Sequence, residues 1–145
     1  MITVERVIKT TPQRVWNVLE DGWLYPLWVV GASRMREVDD GWPAVGTRLH
    51  HSVGVWPGLI DDNTEVTDVE PLRMLQLRAK GWPLLGEAAV RLHLSEQGAG
   101  TRVVMEEDAV SGPGKLVPKP ARGPGIKWRN VESLRRLAFV AERRP

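Results

Sequence analysis

The sequence predicts an α+β fold in which a curled antiparallel β-sheet wraps around one long C-terminal α-helix. Between residues 33 and 110, several short segments alternate apolar and polar side chains, which is the pattern of half-buried strands. The chain then changes period, and Val131, Leu134, Ala138 and Ala141 recur at steps of three and four. About six consecutive strands with a single apolar face twist and curl, so the helix is expected on the concave side.

One strand and two short helices are predicted before this meander. Residues 2–10 alternate well enough for the strand. Thr11 then supplies an N-cap hydroxyl, and Pro12 takes the first helical position, where its missing N–H costs nothing. The first helix is expected to end near residues 21–22, and residues 23–28 have room for only one or two further turns.

Glycine and proline mark the turns of the meander. The six strands are expected at residues 33–38, 46–55, 63–69, 73–80, 84–95 and 101–110. Alternation places one face of each strand inside, including Leu49, His51, Val53, Leu75, Leu77, Ala79, Gly86, Ala88, Val90, Leu92 and Leu94. Residues 111–125 contain four glycines and four prolines and are predicted to be an irregular linker. The final helix is expected over about residues 126–144, with Asn130 on its inner stripe and Arg129 on its solvated face.

Composition limits the classes of protein. A chain of 145 residues fits a single domain that needs no disulfide or metal to be stable. With no cysteine, a thiol nucleophile, a disulfide framework and a cysteine-based zinc site are excluded. No early apolar region and no long apolar run occur, so we expect a soluble, cytoplasmic protein without a transmembrane segment.

The charge of the chain is unevenly distributed. Residues 113–145 carry nine basic and two acidic residues, whereas residues 1–112 carry eleven basic and sixteen acidic ones. This asymmetry allows a macromolecular interaction module that uses the basic C-terminal surface. Only Trp128 interleaves with the basic residues, however, and a helix needs a charged outer face in any case, so a nucleic-acid partner is disfavoured. A homodimer is compatible with the same features.

Common catalytic motifs are missing from the sequence. His50 and His51 are adjacent on a strand and therefore point to opposite faces, and His93 stands alone, so no pair has metal-ligand spacing. Neither a G-x-S-x-G nucleophile elbow nor a G-x-x-x-x-G-K-[ST] phosphate loop occurs. We expect neither a metal nor a cofactor.

Three polar side chains are candidates for chemistry in the interior. His51 shares the inner face of its strand with apolar residues, and it is either a hydrogen-bonded structural histidine or a group that positions or deprotonates a ligand. The run of residues 106–108 (EED) forces at least one carboxylate inside; Val103 and Met105 make the better apolar set, which favours Glu107. Asn130 on the helix is placed to bond this carboxylate or a ligand.

Tryptophan and small residues indicate where a ligand would lie. Seven tryptophans accompany a single Phe and a single Tyr. Trp56 and Trp82 at turns, with Trp28 and Trp128, are either packing anchors at strand ends or a rim of indoles around a cavity. Gly86 and Ala88 remove side-chain volume from the inner face where the helix should cross, which favours a cavity.

Several segments resemble the START-like, or helix-grip (SRPBCC), superfamily, and within it the polyketide cyclase/dehydrase and lipid-transport family. The segments are residues 11–19 (TPQRVWNVL), 25–28 (YPLW), 46–49 (GTRL), 65–71 (EVTDVEP), 100–106 (GTRVVME) and 130–142 (NVESLRRLAFVAE). The resemblance implies a deep cavity between sheet and helix that takes apolar or aromatic small molecules. It does not imply one reaction, since members include cyclases, hormone receptors, lipid carriers and co-chaperones. Cyclases of the family are proposed to use polar pocket groups such as tyrosine, and this chain departs from them in having only Tyr25.

We therefore predict binding of an apolar or aromatic small molecule, lipid- or polyketide-like, between the sheet and the last helix. The predicted lining is Trp28, Leu49, His51, Val53, Trp56, Leu77, Trp82, Ala88, Val90, Met105, Glu107, Trp128, Asn130 and Leu134. The first alternative is a polyketide cyclase or dehydratase acting on such a ligand through His51, Glu107 or Asn130. The second alternative is the macromolecular interaction module described above.

Overall fold

A computed structural model describes residues 1–53, 60–80, 87–111 and 119–144. Their elements in chain order are β1 (Ile2–Ile8), α1 (Pro12–Glu20), a 3-10 turn (Gly22–Leu24), α2 (Tyr25–Trp28), β2 (Ala32–Val38), β3 (Arg48–Val53), β4 (Ile60–Glu70), β5 (Met74–Lys80), β6 (Glu87–Gln97), β7 (Gly100–Ser111) and α3 (Lys119–Arg143). The strands form one seven-stranded antiparallel sheet in the order β1-β7-β6-β5-β4-β3-β2. The predicted fold class is thereby confirmed.

Alternation divides the sheet into a buried face and a charged face. The buried face carries the aliphatic core, with Leu49, Val66, Leu75, Leu92 and Val103 almost wholly covered. The opposite face is crossed by charge pairs and polar pairs, among them Arg48–Glu65 at 2.9 Å, Arg78–Glu87 at 3.4 Å and His93–Glu106 at 2.9 Å. Exposed pairs of this kind contribute little to stability, so the core face holds the sheet against the helices.

The short helices follow the local signals of the sequence. The Thr11 hydroxyl accepts a hydrogen bond from the Arg14 N–H at 3.3 Å, which caps α1 as predicted. A Cβ at Gly22 would come within 2.5 Å of Leu49 Cδ2, so glycine lets the 3-10 turn lie directly on β3. The turn leads into α2, whose Tyr25 and Trp28 side chains are buried in the core.

Helix α3 begins earlier than predicted. Lys119, rather than a residue near 126, is its first residue, so the expectation of an irregular linker over residues 111–125 is wrong for residues 119–125. Pro120 is the second residue of the helix, where its missing N–H has no partner, whereas Pro124 lies inside the helix and removes one backbone hydrogen bond. A prediction from glycine and proline content alone therefore placed the start of α3 too late in the chain.

The buried stripe of α3 also differs from the prediction at one position. Val131 is 48% exposed, whereas Asn130, Ser133, Leu134, Leu137, Ala138 and Ala141 are buried. Two rows at steps of four, one beginning at Asn130 and one at Ser133, form the buried side of the helix. Val131 lies outside both rows.

Among the described residues, no helix is long and apolar enough to cross a membrane.

The helix register predicts a difference between two aliphatic truncations on α3. Leu134→Ala removes a buried side chain that is 1% exposed and should lower the free energy of unfolding by about 2–5 kcal/mol. Val131→Ala is the matched control and should change it by no more than about 0.5 kcal/mol. Urea unfolding monitored by circular dichroism measures both values. Equal losses would contradict the register of α3 on the sheet.

Candidate functional site

The inner face of the sheet changes from large to small side chains between two neighbouring rows. One row across β4, β5, β6 and β7 consists of Val66, Leu77, Val90 and Glu107, all buried. The next row consists of Thr64 followed by Ala79, Ala88 and Ala109, and these three alanines, here called the alanine row, are only half-buried. The inner face of the sheet is therefore less completely covered at the alanine row than at the neighbouring row of large side chains.

The backbone of helix α3 lies closest to β1, α1 and α2. Its buried side chains join those of the central strands in one apolar core. The alanine row lies towards the end of the sheet where β5 ends at Lys80 and β6 begins at Glu87. The interior therefore combines an aliphatic floor with side-chain volume removed at one end.

A first polar group, here called the His51 cluster, consists of Tyr25, His51 and Thr64. The His51 Nε2 lies 2.8 Å from the Thr64 hydroxyl, and the Tyr25 hydroxyl lies 3.4 Å from the same oxygen. The Tyr25 and His51 rings are stacked with centroids 5.3 Å apart, and Trp28 meets Tyr25 edge-on at 5.5 Å. All four side chains are buried, so these contacts fix the imidazole in position.

Burial keeps the two titratable members of this cluster uncharged near neutral pH. Burial lowers the pKa of His51, an effect that Asp62 opposes and that Arg36 and His50 reinforce. Burial also raises the pKa of Tyr25, against the hydrogen bond to Thr64 that lowers it. A neutral imidazole beside a neutral phenol can exchange hydrogen bonds or protons without creating an isolated buried charge.

A second polar group, here called the Glu107 cluster, consists of Glu107, Arg129 and Asn130. Glu107 is 3% exposed, and its carboxylate accepts hydrogen bonds from the Arg129 guanidinium and, at 3.2 Å, from the Asn130 Nδ2. The register that turns Glu107 inward is therefore the correct one, while Glu106 pairs with His93 on the outer face. A buried carboxylate needs such partners, and both come from α3.

Tyr25 connects the two clusters. The charges of Arg129 and Glu107 both act on the Tyr25 phenol and shift its pKa in opposite directions. The phenol is also bonded to Thr64 and stacked on His51. Tyr25 thus contacts side chains of β3 and β4 and is also subject to the charges of the Glu107 cluster.

Most of the predicted lining residues are buried in the folded chain. Those buried in the interior are Trp28, Leu49, His51, Leu77, Val90, Met105, Glu107, Asn130 and Leu134, and Ala88 is half-buried. Trp56, Trp82 and the side chain of Val53 lie outside the described residues. Trp128 is not brought to the site: it is 67% exposed, because it lies two positions from Asn130 and thus on the opposite side of α3.

Three members of the clusters were not selected from the sequence. Thr64 was identifiable, since it alternates with the inward Val66 on the same strand. Arg129 was assigned to the solvated face, yet its long side chain reaches the buried Glu107 carboxylate while remaining partly exposed. Tyr25 was noted only as a departure from the cyclase pattern, because sequence does not show which way a four-residue helix points its ring.

The basic C-terminal surface is largely paired within the chain. Glu132 accepts hydrogen bonds from Arg135 at 2.7 and 2.9 Å and from Arg136 at 3.1 Å, and these pairs lower the pKa of Glu132 to about 2. Arg144 lies 3.9 Å from Asp21, and Arg143 sits over the Phe139 ring. This pairing reduces the charge that remains for an acidic partner. That nucleic acid is disfavoured as a partner and that a homodimer is compatible with the sequence both stay predictions.

Metal chemistry finds no support in the described part of the chain. There, no group of three or more histidine, aspartate or glutamate side chains comes together to hold an ion.

A surface depression of about 560 Å³ near the end of α1 is lined by Glu20, Asp21, Asp39 and Asp40 among others, and it is separate from both clusters.

The buried state of His51 predicts a pH-dependent stability. Its pKa lies below the ordinary 6.5 when folded, so the unfolded chain binds a proton as pH falls through about 6.5 while the folded chain does not. The free energy of unfolding should therefore fall as pH is lowered from about 7.5 to about 5.5, by at most about 1.4 kcal/mol per pH unit from this group. His51→Gln should show a shallower fall in urea titrations across this range. Identical slopes would contradict a buried, neutral His51.

Comparison with known proteins places these features in a family. The family model "Polyketide cyclase / dehydrase and lipid transport" matches residues 1–142. Solved structures with the same fold include the Zhui aromatase/cyclase from Streptomyces sp. R1128 (TM-score 0.74, 21% identity, covering 99% of this chain and 93% of that one) and protein MLL2253 from Mesorhizobium loti (TM-score 0.73, 24% identity, covering 99% and 98%). Ara h 8.0201 aligns with a TM-score of 0.77 at 10% identity, covering 99% and 97%. No protein with a curated description matches the sequence. A match over nearly the whole length, on a curled sheet closed by a long helix, establishes that the chain belongs to the polyketide cyclase/dehydrase and lipid transport family.

Proposed function

We propose that the protein binds an apolar, aromatic small molecule between the inner face of the sheet and α3. The observation that carries this proposal is the alanine row: small, half-buried side chains beside a row of larger, buried ones. A ligand placed above these methyl groups would bury apolar surface at about 25 cal/mol per Å² without displacing any core side chain. Membership of the family supports the same reading.

The walls of the site favour a flat ligand. Tyr25 and Trp28 stand edge-to-face at 5.5 Å, and His51 stacks on the other side of the Tyr25 ring at 5.3 Å. Aromatic rings arranged in this way offer both faces and edges to a further ring, and such contacts add to the burial of apolar area. Polar groups are few and confined to the two clusters, which is typical of a site that orients an apolar ligand.

A matched pair of substitutions on β6 tests the location of the site. Ala88→Leu fills the space above the alanine row and should weaken binding about 10-fold or more. Ala89→Leu adds the same atoms to the opposite face of the strand and should leave affinity unchanged. The measurement is quenching of tryptophan fluorescence by a panel of polycyclic aromatic compounds, sterols and fatty acids.

Two results would contradict this proposal. If no member of the panel gives a saturable response with the wild-type protein, the binding function itself fails. If Ala88→Leu and Ala89→Leu bind the best ligand equally well, the ligand lies elsewhere. Thermal melting of both variants checks that each remains folded.

The second candidate function is cyclisation with loss of water, and His51 favours it. A neutral imidazole whose Nδ1 is bonded to no protein group can take a proton from a carbon next to a ketone, as an aldol condensation requires. The similarity to the Zhui aromatase/cyclase supports this candidate at the level of the fold.

Turnover distinguishes an enzyme from a binder. If the protein is a cyclase or dehydratase, a linear polyketone incubated with it should give a product whose mass is lower by one water molecule, as measured by mass spectrometry. His51→Gln should retain binding but lower the rate at least about 100-fold, the usual contribution of a general base. Unchanged mass with the wild-type protein, despite saturable binding, would leave ligand binding as the function.

A further inference from the structure

Helix α3 carries an apolar stripe on the side that faces solvent. The stripe consists of Trp128, Val131 and Phe139, and about half or more of each of these side chains is exposed. They follow one another at steps of three, four and four through the exposed Arg135, so they lie along one side of the helix. Single exposed apolar residues are common in proteins, whereas several on one face mark an interaction surface.

The charges beside the stripe are paired rather than free. Glu132 accepts hydrogen bonds from Arg135 at 2.7 Å and from Arg136 at 3.1 Å. Arg143 lies over the Phe139 ring, with its Cζ 3.7 Å from the ring centroid. Anionic membranes and nucleic acids are bound by clusters of basic side chains that are free to neutralise phosphates. This surface instead suits a protein partner that offers apolar side chains and charges of both signs.

A second copy of α3 offers both in one antiparallel register. In a two-fold pair, residue i of one subunit faces residue j of the other, and j faces i. If the two-fold axis passes α3 between residues 133 and 134, Trp128 faces Phe139 of the partner subunit. The same axis brings Glu132 opposite Arg135 of the partner subunit, so opposite charges meet on both sides of it.

Other registers bring like charges together. A parallel pair in register would set Glu132 against Glu132 of the partner subunit. An antiparallel pair centred on Arg135 would set the two guanidinium groups against each other. Like charges across an interface disfavour an arrangement. Charge complementarity therefore selects the axis between residues 133 and 134.

We infer that this side of α3 is the interface of a two-fold symmetric homodimer. In the dimer, the rings of Trp128 and Phe139 from opposite subunits pack at both ends of the contact, and Glu132 pairs with Arg135 of the partner subunit near its centre. The interface lies on the side of α3 turned away from the buried Asn130 and Leu134. It is therefore independent of the proposed ligand space.

The size of the stripe indicates a weak, reversible dimer. From Trp128 to Phe139 it spans about 16 Å along the helix axis at 1.5 Å per residue. An aromatic side chain buries about 150–250 Å² when it is fully covered, so these two rings offer roughly 200–300 Å² per subunit at their present exposure. A typical stable interface buries about 800 Å² per partner. Association is therefore expected in the micromolar range rather than below it.

Sedimentation velocity over roughly 1–300 µM protein tests the dimer. The wild-type protein should shift from monomer to dimer as its concentration rises. Trp128→Ala should weaken association about 10-fold or more, because a two-fold interface uses the ring twice. Trp23→Ala is the matched control, since it removes a comparably exposed indole from the 3-10 turn, and it should leave association unchanged.

Two charge substitutions test the register. Glu132→Arg and Arg135→Glu each place like charges across the two-fold axis, so either variant alone should stay monomeric over this range. An equimolar mixture should dimerise, because the introduced arginine of one subunit then faces the introduced glutamate of the other. Thermal melting monitored by circular dichroism checks that each variant is folded, as expected when exposed ion pairs are altered.

Each remaining outcome would contradict the inference. A wild-type protein that stays monomeric at every concentration rejects the dimer, and its co-sedimentation with vesicles of anionic phospholipid would then assign the stripe to a membrane. If Trp128→Ala dimerises as well as Trp23→Ala, association uses another surface. If the wild-type protein dimerises but the mixture of charge variants does not, the antiparallel register is wrong.

Discussion

The buried Glu107 carboxylate is the constraint on which the arrangement of helix and sheet depends. A carboxylate that is 3% exposed is tolerated only with charged and hydrogen-bonded partners, and α3 supplies both, Arg129 and Asn130. Sliding the helix by one turn along the sheet would remove both partners at once. Farther along, Ser133 accepts from the Val30 N–H at 3.2 Å and Glu142 accepts from the Lys9 N–H at 3.0 Å, so polar contacts also fix the register where apolar packing alone would permit slippage.

Polar contacts position α3 in addition to its apolar packing. Here α3 rests on β1, α1 and α2, and its position relative to β7 is set by the Glu107 cluster. The alanine row can therefore stay half-buried without loss of the fold. The four-residue helix α2 brings Tyr25 into the His51 cluster, where the charges of Arg129 and Glu107 also act on its phenol.

Local and periodic features of the sequence predicted most of the fold. Alternation located the strands and the inward His51 and Glu107, and the Thr11–Pro12 pair located the start of α1. The predicted start of α3 was too late because glycine and proline were counted as helix breakers. The first N–H groups of a helix have no partner within the helix in any case. The surroundings of Arg129 and Trp128 were predicted wrongly for a related reason. Periodicity assigns a residue to one face of the helix, but a long charged side chain can reach from the exposed face into the interior. A large apolar side chain, in turn, can stay exposed to solvent.

Opposite charges and burial together keep isolated ions out of the interior. Arg129 engages the buried Glu107, and Arg36, which acts on His51, lies 3.5 Å from Asp61. The inner-facing Asp62 is buried beside His51 and acts on it as a negative charge. His51 itself is neutral near pH 7, because burial lowers its pKa. Pairing and burial thus act together around the two clusters: the buried carboxylate of Glu107 keeps a charged partner, whereas the buried imidazole of His51 stays neutral.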